Sequence, residues 1–183
     1  LENTSAIHQD IIRRCTKGDR KAQFELYHLY AKAMYNVCRR MVNNDLDAED
    51  LLQQSFLDVF LKLHTFRGES SPGAWIKRIV INNCINFLKK RNLRLEFLDD
   101  KLLRLPTEPD TPVEKKLDVA AIGQALAALP DGYRIVFTLY MFEGYDHQEI
   151  ASILDVTEST SKSQLSRARQ RMRELLAGKE LLS

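Results

Sequence analysis

Three of the five prolines in this 183-residue chain fall in Leu105-Pro-Thr-Glu-Pro-Asp-Thr-Pro112. A proline lacks a backbone donor and pushes its predecessor out of the helical region, so no regular helix runs through such a segment. Acidic residues flank it from Glu96 to Asp118. The composition predicts an extended, flexible linker over 96–118, and therefore two small domains, 1–95 and 119–183. Charge divides along the same lines. Residues 1–95 carry 16 Lys and Arg against 10 Asp and Glu, residues 96–118 carry 4 against 7, and residues 119–183 carry 7 against 8. The near-neutral total of +2 hides a basic first half.

Both flanks read as helix. In 21–42 the apolar residues Phe24, Tyr27, Tyr30, Met34, Val37, Cys38 and Met41 recur every three or four positions. Residues 43–47 are turn-like, with Asp47 as the expected N-cap of a second helix. Its inner face reads Ala48, Leu51, Leu52, Ser55, Phe56, Val59 and Leu63. A loop over 68–73 follows, in which Pro72 suits a helix start. The third helix, 75–91, is expected to bury Ile76, Ile79, Val80, Asn83 or Cys84, Phe87 and Leu88. Beyond the linker one helix spans 119–129 and stops at Pro130; another spans 131–142, with Gly144 as its cap. Asp146-His-Gln-Glu149 is a capping box that opens a short helix over 147–154. Residues 155–156 turn the chain, Thr157 caps again, and a last helix reaches about Leu176. Two helices joined by so short a turn outline a helix-turn-helix. No convincing strand alternation occurs, so the expected fold is all-α, in two small helical domains.

Several function classes drop out. The longest apolar runs, such as Ile79-Val80-Ile81, fall far short of the ~20 residues that span a bilayer. Residues 1–10 show no basic stretch followed by an apolar one, so no secretory signal is expected. Cys15, Cys38 and Cys84 are odd in number and widely spaced, which suits reduced thiols and a cytoplasmic location rather than zinc or disulfides. Glu25-Leu-Tyr-His28 is half of a di-iron helix pair, but none of His8, His64 and His147 follows a Glu by three. No nucleotide-binding glycine loop, nucleophile elbow or zinc-protease pair is present. Neither a catalytic site nor a cofactor is expected.

Three polar faces remain. From Ser159 to Arg173 the last helix carries Lys162, Arg167, Arg169, Arg171 and Arg173 and no acid. With Leu165, Ala168, Met172 and Leu175 spaced toward the core, Ser159, Thr160, Lys162, Ser163, Gln164 and Arg167 are expected on the exposed N-terminal half. Short polar and cationic side chains there can reach phosphates and base edges. On the third helix Arg78, Asn82, Asn86 and Lys89 or Lys90 form a polar stripe opposite the apolar face. Their amides and cations suit bases and phosphates. The second helix inverts the charge. From Met41 to Leu61 it has five acids and no Lys or Arg, so Asp50, Gln53, Gln54 and Asp58 present a face suited to a basic protein partner. His147, in the first turn of the short helix, is expected at the surface.

These residues resemble a known family. Asp47-Ala-Glu-Asp-Leu-Leu-Gln-Gln-Ser-Phe56 is similar to region 2.2 of bacterial sigma factors. Phe66-Arg-Gly-Glu-Ser-Ser71, Trp75-Ile-Lys-Arg-Ile79 and Asn82 resemble regions 2.3 and 2.4 of the extracytoplasmic-function group. Leu129-Pro-Asp-Gly-Tyr-Arg134, Phe142-Glu-Gly144, His147-Gln-Glu-Ile-Ala151 and Thr160-Ser-Lys-Ser-Gln-Leu-Ser-Arg-Ala-Arg169 resemble region 4. Gln54, Ile81, Asn86, Asp155, Ser159, Ser161 and the pair Pro72-Gly73 depart from the usual pattern. The resemblance implies a promoter-specificity subunit of RNA polymerase with no catalysis of its own. Asp50, Gln53 and Gln54 would face the polymerase clamp helices. The −10 element would meet Gly68, Ser70, Ser71, Arg78, Asn82, Asn86 and Lys89, with a flipped base held by the loop 68–72. Ser159, Thr160, Lys162, Ser163, Gln164 and Arg167 would meet the −35 element, and the second domain would dock on the polymerase flap. Promoter DNA, core polymerase and an anti-sigma factor are the implied partners.

Overall fold

The computed structural model describes residues 2–90 and 119–180, with side chains over 8–90 and 119–177. The expected linker, 96–118, lies outside the described residues. All regular structure among the described residues is helical, in two compact units.

The first unit holds α1 (Glu2–Thr16), α2 (Arg20–Val42), α3 (Asp45–Lys62) and α4 (Pro72–Lys90). A single 3-10 turn, Leu63–Thr65, follows α3. Helix α1 has no counterpart among the helices expected above. It stops at Gly18, which takes a φ of 80°, and Asp19 caps α2 by accepting from the amides of Lys21 and Ala22. Arg14 ties the two helices, donating to Asp19 at 3.0 Å and to Glu25 at 3.1 Å. Asn43, in the left-handed region, ends α2. The N-cap of α3 is Asn44 rather than Asp47. Its side chain accepts from the Asp47 amide at 3.0 Å, so the helix begins three residues early and Asp47 joins the first turn.

Helix α2 packs against α1, α3 and α4, and α3 against α4. The core they enclose includes Leu26, Met34, Met41, Phe56, Val59, Ile76, Val80, Ile81 and Leu88. Phe24, expected inside, is 65% exposed because the buried line of α2 runs through Ala22 and Leu26. Its ring instead meets His28 at 4.1 Å. On α4 it is Cys84 that is buried, while Asn83 donates to Ser55 at 3.2 Å and to Asp58 at 2.9 Å. Phe87 is half-buried. All three cysteines are buried and unbridged; burial pushes the Cys15 thiol up to about 11.

The second unit holds α5 (Val119–Ala127), α6 (Asp131–Phe137), α7 (His147–Leu154) and α8 (Glu158–Glu180). Helix α5 ends two residues before its expected stop, because the residue ahead of a proline resists helical geometry. Helix α6 widens at its end into a π-helical turn, Thr138–Phe142, where the Glu143 amide bonds the Thr138 carbonyl. The capping box between Asp146 and Glu149 opens α7, and Asp155 closes it with a φ of 59°. Thr157 then caps α8, accepting from the Thr160 amide at 3.0 Å. Ile135, Leu139, Ile150, Leu154, Leu165, Ala168 and Met172 form the core that seats α8.

Candidate nucleic-acid interface

Helix α4 turns Ile76, Val80, Cys84 and Leu88 inward. By the same periodicity it leaves Arg78, Asn82, Asn86 and Lys89 exposed on one stripe. The loop before it brings Gly68, Ser70 and Ser71 to the surface; Gly68 adopts a φ of 76° that few other residues tolerate. Ser71 has a structural task as well. Its hydroxyl accepts from the Ala74 amide at 3.2 Å and caps α4. Phe66 and Trp75 pack ring on ring, with centroids 5.4 Å apart, and close the loop onto the helix.

On α3 Asp50, Gln53 and Gln54 are exposed, and Gln54 donates to Asp58 at 3.3 Å. Three leucines share their face. Leu46, Leu57 and Leu61 are 74%, 58% and 72% exposed. At helical spacing they fall in one line with Asp50 and Gln53. An acidic and amide centre bordered by exposed leucines has the make-up of a protein-binding patch. The leucines were not among the expected site residues, although the spacing 46, 50, 53, 57, 61 is visible in the sequence.

On α8 Ser159 and Lys162 are exposed, while Thr160, Ser163 and Arg167 are half-buried. Lys162 reaches back to Glu158 at 2.6 Å, and Ser163 donates to the Thr160 carbonyl at 3.0 Å. Gln164 does not stand where expected. It is fully buried, and neither its amide nitrogen nor its oxygen finds a hydrogen-bond partner. Helix α8 packs against α5, α6 and α7, so its covered arc is wide enough to enclose position 164 beside Ser161, Leu165 and Ala168.

Behind α8 runs a chain of contacts that sequence reasoning missed. His147, half-buried rather than at the surface, meets the buried Ser161 hydroxyl at 2.9 Å and stacks on Tyr140 at 4.8 Å. The Arg169 guanidinium lies over the other ring of that pair, 5.7 Å from the Tyr140 centroid. Burial, and secondarily the cations Lys162 and Arg169, hold the His147 pKa below its ordinary value. The contacts fasten α8 to the π-helical end of α6. Among the described residues no cluster of His, Cys, Asp and Glu could hold a metal, and no helix is long and apolar enough to cross a membrane.

Comparison with known proteins follows this division. Residues 26–94 match the family described as Sigma-70 region 2, and residues 120–172 match Sigma-70, region 4. The chain is 32% identical over 157 residues to the ECF RNA polymerase sigma factor SigE of Mycolicibacterium smegmatis, covering 84% of this chain and 61% of that protein. It thus spans about three fifths of that relative's length. With the RNA polymerase sigma-H factor of Pseudomonas aeruginosa it shares 28% identity over 173 residues, 88% of this chain and 90% of the other. Among solved structures it is similar to the sigma factor RpoE of Bartonella quintana in complex with the anti-sigma factor NepR. That match has a TM-score of 0.57 and 25% identity, over 84% of this chain and 95% of the other. The fold is also similar to CnrH in complex with the cytosolic domain of CnrY, with a TM-score of 0.56 at 21% identity over 93% and 97%.

Proposed function

The chain belongs to the sigma-70 family, in its extracytoplasmic-function group, and on that premise we propose that it directs core RNA polymerase to its promoters as the specificity subunit. Residues 1–95 act as the region 2 domain, 119–183 as the region 4 domain, and 96–118 as the tether. The α3 face centred on Asp50, Gln53 and Gln54 docks on the polymerase clamp helices, with Leu46, Leu57 and Leu61 supplying apolar area. The α4 stripe and the loop ahead of it engage the −10 element as it opens. The exposed start of α8 enters the major groove at the −35 element, where Lys162 and Arg167 meet phosphates and Ser159, Thr160 and Ser163 lie nearest the bases. Gln164 is left out of that surface and acts as packing. The chain performs no bond chemistry, works in the cytoplasm, and has an anti-sigma factor as a further partner.

The observation that carries this reading is the inversion of surface chemistry between adjacent helices. On one unit α3 presents acids, amides and leucines while α4 presents cations and amides. A protein that touched only DNA would have no use for the first. Run-off transcription with core polymerase on a promoter library tests it: core plus this chain should start at defined sites, and core alone should not.

A further inference from the structure

One carboxylate joins the proposed docking face of α3 to the helix that carries the stripe. Asp58 stands one turn beyond Gln54 on α3 and is half-buried. Its Oδ1 accepts from Gln54 Nε2 at 3.3 Å, and its Oδ2 accepts from Asn83 Nδ2, on α4, at 2.9 Å. The same Asn83 amide donates to the fully buried Ser55 hydroxyl at 3.2 Å. The apolar residues that seat α4, Ile76, Val80 and Leu88 among them, fix how deep it lies. Such packing has little directional preference, so it tolerates a small turn of the helix about its axis. A hydrogen bond does not, because it weakens steeply once bent away from linear. Asn83 therefore sets the rotation of α4. Asn82 and Asn86 lie one residue before it and three after it on the same helix, so that rotation fixes where both amides point.

We infer that Asn83 is a positioning residue for −10 recognition, and that through Asp58 it links polymerase docking on α3 to strand binding on α4. In the free chain the Asp58 carboxylate is shared between two amides, one from each helix. When the polymerase takes up Gln54, the carboxylate is left to Asn83. A hydrogen bond to a charged acceptor is roughly twice as strong as one between neutral groups, so α4 is then held more firmly in the rotation that presents Asn82 and Asn86. Linkage of this kind is reciprocal. A strand bound to α4 in that rotation must raise the affinity for core polymerase by the same factor. The inference rests on the proposal that α3 docks on core polymerase and α4 engages the −10 strand.

The test measures the affinity of the full chain for core polymerase with and without a saturating single-stranded oligonucleotide. The oligonucleotide covers the non-template −10 segment of a promoter that the holoenzyme transcribes. For the native chain it should tighten core binding about fivefold or more. Asn83→Leu is close in shape and removes both donated bonds, so the ratio of the two affinities should fall to about one. Damage to the fold alone would scale both affinities and leave their ratio as it was. The exchanged pair Asn83→Asp with Asp58→Asn keeps the clip with its directions reversed. The new amide at position 58 donates, and the new carboxylate at position 83 accepts from it and from the Ser55 hydroxyl. That pair should restore the native ratio. A native ratio in Asn83→Leu, or an exchanged pair that fails to restore it, would overturn the inference. So would a native ratio of about one with the oligonucleotide bound, which leaves the docking face and the −10 reading standing. A native holoenzyme that does not bind the oligonucleotide at all would overturn the −10 reading itself.

Discussion

A buried side-chain amide without hydrogen-bond partners costs more than an apolar group of the same size, and Gln164 is such an amide. Gln164→Met keeps the length and nearly the volume while removing both unsatisfied atoms. It should stabilise the second unit by about 1–2 kcal/mol, seen as a higher midpoint in urea, and leave −35 preference unchanged. His147 makes a second prediction, in pH. Its folded pKa lies below the ordinary value of 6.5, so the unfolded chain binds the proton more readily. Stability should hold above about pH 6.5, decline as pH falls below it, and level off once the lowered folded pKa is passed. A pH series of melting temperatures should show this slope, and His147→Gln should flatten it. Neither residue was legible from spacing. Gln164 stands at the border of an apolar arc, where only the width of the covering helices decides the side. The partner of His147 is fourteen positions away, across the turn.

At the scale of elements the sequence was most readable where a cap and an apolar period agreed. The capping box of α7 and the inner face of α3 stand where expected, because Asp146, Glu149 and the line from Ala48 to Leu63 each act locally. The start of α3 is ambiguous in the sequence because Asn44 and Asp47 each offer a capping side chain, and in the fold Asn44 captures the Asp47 amide. Helix α1 left a thinner signal: Ile11, Ile12 and Cys15 are its described buried residues. The exposed leucines of α3 carry no local signal that separates them from core leucines, because only the packing of the neighbouring helices leaves their line uncovered. They supply the third prediction. Leu57→Ser should change stability by no more than about 0.5 kcal/mol, as expected of an exposed position, yet weaken binding to core polymerase. Asp50→Arg should weaken it further, by several kcal/mol, because a reversed charge opposes the partner surface. Competition against the native chain for core polymerase measures both. Normal competition by Asp50→Arg would mean that the clamp face lies elsewhere.

Considered whole, the molecule has two units that the proposed function sets against DNA, and neither is equipped to bind it tightly alone. Affinity for duplex DNA comes largely from cations that neutralise phosphates. Residues 119–183 carry 7 basic against 8 acidic residues, and Lys162 at the head of α8 is already paired with Glu158. The first half is more basic, but the amides Asn82 and Asn86 on its stripe suit bases exposed only after opening. Two weak contacts become a specific one when something holds both in register, since the second then forms at high effective concentration. In the proposed function core polymerase does this, because each unit docks on it. The free chain should therefore bind promoter and scrambled duplexes with affinities within about tenfold of each other, both falling steeply with salt. Adding core polymerase should widen the ratio by at least ~10². Fluorescence anisotropy at one fixed salt concentration, with and without polymerase, gives both ratios. A free chain that already discriminates as well as the holoenzyme would place promoter choice in the helix-turn-helix alone and leave the α3 face without a role.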